Sequence, residues 1–359
     1  YAPVPAGNWD SELPGQVAAS IGYYGLWNYY LHTGDKPLIE SLYTGVQRYL
    51  GSWRPDGKGT MQFRAGGWTW GDWGEERDME LLFNLWYYLA VKGMHNTALA
   101  LGKTADAEKY AAFMDKFRSS FNQQFWTGTA YRHPSYTGKT DDRAQALAVV
   151  AGVAEKEKYP ALLKVFQTEE HASPYMEKYV FEAMFQMGYV KEALQRHEKR
   201  FGYMVNYPGF TTLFEGWGIG KEGFGGGTIN HAWSGGGLTV LSQYLCGIAP
   251  LEPAYKRFQI MPQPGDVKNA SAVVPSVAGK ISSAFNNQPG KFTLKVTVPV
   301  GTTALIGIPN NGYTKIMLNN QVIWAKGRYK KYQPTGQNTN TTHTSFNVPP
   351  GEWQFVATK

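Results

Sequence analysis

The chain has 359 residues, 43% hydrophobic and only 18% charged, which is enough for two domains with a substantial core and unlike the composition of a disordered chain. Its net charge of +7 is scattered in ones and twos of Lys and Arg, so nucleic-acid binding is unsupported while an acidic polysaccharide remains compatible. The single cysteine, Cys246, excludes an intrachain disulfide and any Cys-based metal site, and no apolar run reaches the ~18 residues of a membrane span.

The first residues, from Tyr1, carry no basic and apolar leader, so the chain is expected to begin after any targeting signal or to be a piece of something longer. Helical periodicity then predicts segments over Val17 to His32 and Pro37 to Leu50, with an end at Gly34. Between Leu50 and the next helix stands Gly67-Trp68-Thr69-Trp70-Gly71-Asp72-Trp73-Gly74-Glu75-Glu76-Arg77-Asp78. Three indoles and four carboxylates among glycines suit a sugar, because indole faces stack on the C–H face of a pyranose and carboxylates accept from its hydroxyls. A lone Trp would more often plug a core; the cluster as a whole carries too much charge for that.

Further helices are predicted over Asp78 to Met94, Ala105 to Phe125, Ala144 to Ala154, Tyr159 to Phe166, Pro174 to Met187, Val190 to Lys199 and Leu238 to Ile248, several ending at glycine, as at Gly93 and Gly188. About nine helices in hairpins predict a toroid with loops gathered at one end, and Cys246 sits among apolar neighbours as a buried thiol. After Pro250 the pattern changes. Alternation from Lys280 through Phe285, Lys291 to Val298, Thr303 to Ile308, Lys315 to Leu318, Gln321 to Trp324, Thr342 to Val348 and Glu352 to Ala357 predicts an antiparallel β-sandwich, with a helical domain over 1–250 and the sandwich over 251–359.

Thr211-Thr212-Leu213-Phe214-Glu215-Gly216-Trp217, Ile229-Asn230-His231-Ala232-Trp233, Tyr244-Leu245-Cys246-Gly247-Ile248-Ala249-Pro250 and Tyr255-Lys256-Arg257-Phe258 follow one another in an order that resembles the α-L-rhamnosidases of glycoside hydrolase family 78. Gly71-Asp72-Trp73 upstream and the strand-rich tail extend the likeness over nearly the whole chain. The resemblance implies an (α/α)6 barrel followed by a β-sandwich, and inverting hydrolysis of terminal α-L-rhamnosides without metal or cofactor, in a periplasmic or secreted bacterial setting. It matches Glu215 to the family's general base. Trp73, Trp217 and His231 fall at or beside the family's sugar-pocket positions, although a satisfied core histidine fits His231 nearly as well, and the indole and carboxylate cluster adds Asp72, Asp78, Trp68 and Trp70 as expected sugar contacts.

The family's acidic segment, Asp-Cys-Pro-x-Arg-Glu followed by Gly-Trp-x-Gly-Asp, has no counterpart here, and about nine helices fall short of twelve. Two readings stay open: the general acid belongs to a missing N-terminal portion of the same polypeptide, or Glu75 supplies it, with Asp78 capping a helix and Glu76 paired to Arg77 or facing solvent. Rival functions are a non-catalytic carbohydrate-binding relative and a polysaccharide lyase, for which His133, Tyr136 and Arg143 form the only tempting set.

Overall fold

The computed structural model describes residues 12–67, 69–219, 227–333 and 342–359. One compact unit extends to Gly237 but leaves out Tyr30–Gly34, which join Leu238–Lys359 in the other.

The helical unit opens with α1 (Pro14–Ile21) and a π-helical stretch over Tyr23–Trp27; α2 (Asn28–Thr33) follows, its residues from Tyr30 onward counted in the other unit. The helical unit continues with α3 (Lys36–Leu50), α4 (Met79–Ala100), α5 (Thr104–Phe125), α6 (Asp142–Ala151), α7 (Tyr159–Thr168), α8 (Pro174–Gln186) and α9 (Val190–Val205). Burial separates these helices into two layers. On α3 only Ile39, Tyr43, Val46 and Leu50 are buried, and on α9 only Ala193, Arg196, Phe201 and Met204, the single stripe of an outer helix. Along α4, by contrast, burial runs around the whole helix from Leu81 to Val91, and every residue of α6 is buried. Neighbouring contacts order the inner layer as α1, α4, α6, α8. Each fully enclosed Leu of α4, such as Leu81, Leu82 and Leu85, contributes about 1.5–3 kcal/mol relative to exposure.

The expected helix end at Gly93 is wrong: α4 runs on to Ala100. A Cβ at Gly93 would lie 2.6 Å from the carbonyl carbon of Gly22, so the glycine allows two backbones to cross closely. The segment Leu238 to Ile248 also departs from a plain helix. It comprises the end of α10 (Gly236–Val240), a π turn over Leu241–Leu245, and the start of strand β1 after Gly247, whose φ is 81°.

In the second unit β1 (Ile248–Pro250), β2 (Arg257–Ile260), β6 (Thr303–Pro309) and β10 (His343–Val348) form one sheet in the order β1-β2-β6-β10. The other sheet runs β3 (Asn269–Ser276), β4 (Gly279–Gln288), β5 (Lys291–Val298), β11 (Gly351–Thr358), β7 (Lys315–Leu318), β8 (Gln321–Ala325), β9 (Arg328–Tyr329). Pairing is antiparallel apart from β2 with β6, which is parallel in the register Phe258 to Ala304. Phe346 of the first sheet and Phe355 of the second are both fully buried with ring centroids 5.8 Å apart, joining the two layers in one core. Cys246 is buried, and burial pushes its thiol up to about 11.

Candidate active site

The inner helices begin at one end of the helical unit because their caps meet. Asp78 caps α4 by accepting from Leu81 N–H at 3.3 Å, Asp141 caps α6, and Ser173 caps α8. Asp78 N–H in turn donates to Asp141 Oδ2 at 2.9 Å. The loops that precede these caps therefore share one rim.

Arg143 fixes the loop from Asp72 to Glu76 on that rim. The guanidinium is fully buried and lies 2.7 Å from Asp141 and 3.2 Å from Asp72. It also donates to the carbonyls of Trp73, Glu75 and Glu76 at 3.2, 2.7 and 2.7 Å. The second oxygen of Asp72 accepts from the Ser173 hydroxyl at 2.5 Å, while Ser173 N–H reaches the first at 2.9 Å. Burial raises the Asp72 carboxyl to about 6 against the opposing pull of Arg143 and Ser173. Burial likewise raises Asp78, which also accepts from His133 N–H at 2.8 Å.

Beside this scaffold stands an aromatic wall. Trp70, Tyr175 and Trp233 contact one another at centroid distances of 6.0, 5.4 and 6.2 Å, with Trp233 nearly parallel to both partners, and Trp73 meets Trp70 edge-on at 5.8 Å. Trp233 connects the wall to Glu215, because its indole N–H donates to the Glu215 carbonyl at 3.0 Å. The Glu215 side chain is 15% exposed. Its Oε2 accepts from Thr228 N–H at 3.0 Å and lies 3.5 Å from His231 Nδ1, which pairs with the Thr228 hydroxyl at 2.7 Å. The other oxygen, Oε1, has no hydrogen-bond partner among the described residues. Ser234 anchors the segment from behind by donating to the Phe214 carbonyl at 2.5 Å.

The structure thus brings Trp70, Trp73, Glu215 and His231 into one neighbourhood, and it adds Trp233 and Tyr175, which sequence reasoning did not number among the site residues. Trp68 lies outside the described residues. Two expected sugar contacts are spent inside the protein instead: Asp72 is fully buried on Arg143 and Ser173, and Asp78 is occupied as a helix cap. Trp217 is half-buried, with Arg200 stacked 4.0 Å over its ring, Phe201 at 5.1 Å and its N–H on the Ala172 carbonyl. Glu75 is exposed, and its carboxylate has no partner among the described residues. Glu76 is neither paired with Arg77 nor free, since it accepts from Lys139 N–H at 2.5 Å and the Tyr136 hydroxyl at 3.1 Å. The lyase set falls apart: Arg143 is enclosed, Tyr136 is on Glu76, and His133 is on Ser135.

Residues 6–245 match the family described as the bacterial alpha-L-rhamnosidase 6 hairpin glycosidase domain, and residues 247–322 match the bacterial alpha-L-rhamnosidase C-terminal domain. The alpha-L-rhamnosidase of Formosa agariphila is 22% identical over 318 residues, 82% of this chain and 34% of its own length. That of Streptomyces avermitilis is 24% identical over 304 residues, 79% of this chain and 28% of its own. The chain therefore spans about a third of the length of these curated relatives. Among solved structures, alpha-L-rhamnosidase from Dictyoglumus thermophilum superposes with a TM-score of 0.82 at 23% identity, over 99% of this chain and 41% of that one. The Streptomyces avermitilis enzyme complexed with L-rhamnose gives 0.73 at 20% identity, over 92% and 32%. The fold read from the sequence, a helical toroid followed by a β-sandwich, is the one these neighbours share. With its helical part matched from residue 6 to 245 and the sheet domain following in the same order, the chain belongs to the family of bacterial α-L-rhamnosidases built on a six-hairpin glycosidase domain.

Proposed function

We propose that this chain carries the water-activating half of an inverting catalytic centre for terminal α-L-rhamnosides, with Glu215 as the general base. Family membership gives the reaction class, and the observation that carries the assignment is the asymmetry of the Glu215 carboxylate. Oε2 is held by Thr228 N–H and faces His231, while Oε1 has no hydrogen-bond partner among the described residues. In an inverting reaction water attacks the anomeric carbon, its proton passes to the base, and the leaving oxygen takes a proton from an acid about 6.5–9.5 Å from the base. Oε1 is the oxygen open to that water. The Trp70, Tyr175 and Trp233 wall supplies aromatic surface against which the deoxysugar can pack.

The acid is proposed to come from elsewhere in the longer polypeptide, with Glu75 as the candidate within this chain. In the longer polypeptide Glu215→Gln should cut turnover of an aryl α-L-rhamnoside by roughly 10² or more with the fold unchanged by circular dichroism. Turnover within about threefold of the parent would sink the assignment.

A further inference from the structure

A separate cavity of about 510 Å³ opens at the N-terminal end of α4, lined by Lys58, Gln62, Phe63, Glu80, Phe125 and His133 among others. None of the residues that line it belongs to the Glu215 cluster or the aromatic wall. Its walls are rigidly made. Two tight turns flank it, one closed by the bridge between Pro55 and Met61 and the other by the bridge between Trp126 and Tyr131. Asp56 stiffens the first by accepting from Lys58 N–H at 2.7 Å, Thr60 N–H at 3.0 Å and the Thr60 hydroxyl. Asn84 locks the floor, taking Met61 N–H at 2.8 Å and giving to Met61 O at 3.0 Å. Gln124 ties one turn to the other by donating to the Lys58 carbonyl at 3.4 Å.

Within this frame two opposite charges are left unused. The Glu80 carboxylate and the Lys58 ammonium form no hydrogen bond or ion pair among the described residues. A cavity holding a free donor, a free acceptor, an imidazole and two phenyl rings suits a polyhydroxylated ring, which needs both hydrogen-bonding senses and an apolar face at once. The two carboxylates, Asp56 and Glu80, outweigh the single Lys58 cation and so disfavour a simple anion. The volume lies within the range of small-molecule sites.

We infer that this cavity is a second carbohydrate site, which holds a neutral pyranose unit on residues other than those of the Glu215 centre. The inference takes its ligand class from the proposed function but uses none of the Glu215 residues. The test is a nitrogen-15 NMR titration of the intact chain with methyl α-L-rhamnopyranoside and methyl β-D-glucopyranoside up to about 50 mM, where binding of a few kcal/mol is read. The expected result is saturable shifts of the Gln62 and Gln124 side-chain amides with at least one pyranoside. They should persist in Glu215→Gln, which separates this site from the catalytic assignment. Lys58→Ala, and Glu80→Gln separately, should each weaken the dissociation constant by roughly tenfold. Non-saturating shifts with both pyranosides, unchanged affinity in both variants, or a response to sodium acetate with none to the sugars would each overturn it.

Discussion

Replacing Arg143 with Met tests whether the loop of Asp72 and Trp73 is held from below by one buried cation. The side chain is fully enclosed and touches two carboxylates and three carbonyls. Methionine fills similar space but leaves Asp72 and Asp141 buried without a counter-charge, and removing one partner of a buried pair costs about 3–5 kcal/mol. For a helical unit of this size that loss corresponds to a fall in Tm of about 6–20 °C. The loss should be larger at pH 8 than at pH 5, because uncompensated buried carboxyls protonate as pH falls and the charge they carry disappears. Urea unfolding followed by tryptophan fluorescence measures it, and hydrogen exchange at Ser173 N–H, which donates to Asp72, reports the loop directly. Arg118→Met is the control, since its pair with Asp115 is exposed and should change stability by less than about 1 kcal/mol. A loss below about 1 kcal/mol for Arg143→Met as well would refute the argument.

Because the Asp72 carboxyl is raised from 3.8 to about 6, the folded state binds its proton more tightly than the unfolded state. Its contribution to stability therefore falls as pH rises from about 4 to about 6, and Asp72→Asn should flatten that stretch of the stability curve in urea titrations at stepped pH. Gly93→Ala should destabilise by about 1–3 kcal/mol, since its Cβ would meet Gly22 at 2.6 Å. Gly45→Ala in α3 has open space around it and should stabilise by about 0.5–1 kcal/mol, both read by urea unfolding. This chain by itself should hydrolyse an aryl α-L-rhamnoside only at trace rates; full turnover that Glu75→Gln abolishes would instead make Glu75 the acid.

What was legible in the sequence is what depends on local periodicity. The outer stripe of α3 and the alternation of β5 and β11 bury residues at spacings of 3.6 and 2, so each announces itself within ten residues. Strand β3 carries no such signal, for the converse reason. It is the edge of its sheet, pairs only with β4, alternates between exposed and half-buried positions, and carries Pro275, a residue that an edge tolerates. In the candidate site, Glu215 and His231 were legible through a short run of residues with a family likeness. In the sequence Asp72, a carboxylate among indoles, looks like a sugar ligand, whereas the Arg143 and Ser173 that claim it lie 71 and 101 residues further along. Tyr175 gave no local sign, being one aromatic at the start of a buried helix, and Trp233 could have been numbered with His231 from their spacing alone.

The sheet-bearing unit is not a cassette that begins where its strands begin. Tyr30–Gly34, more than two hundred positions upstream, belong to it, with the His32 ring edge-on to buried Tyr255 at 5.5 Å and Gly34 turned at a φ of 74° against the Ala254 side chain. A gene-level cut before Leu238 would thus carry away a piece of the unit it meant to liberate and leave the Tyr255 ring with Phe258 but without His32. The exchange of such a module between proteins therefore requires two joints rather than one.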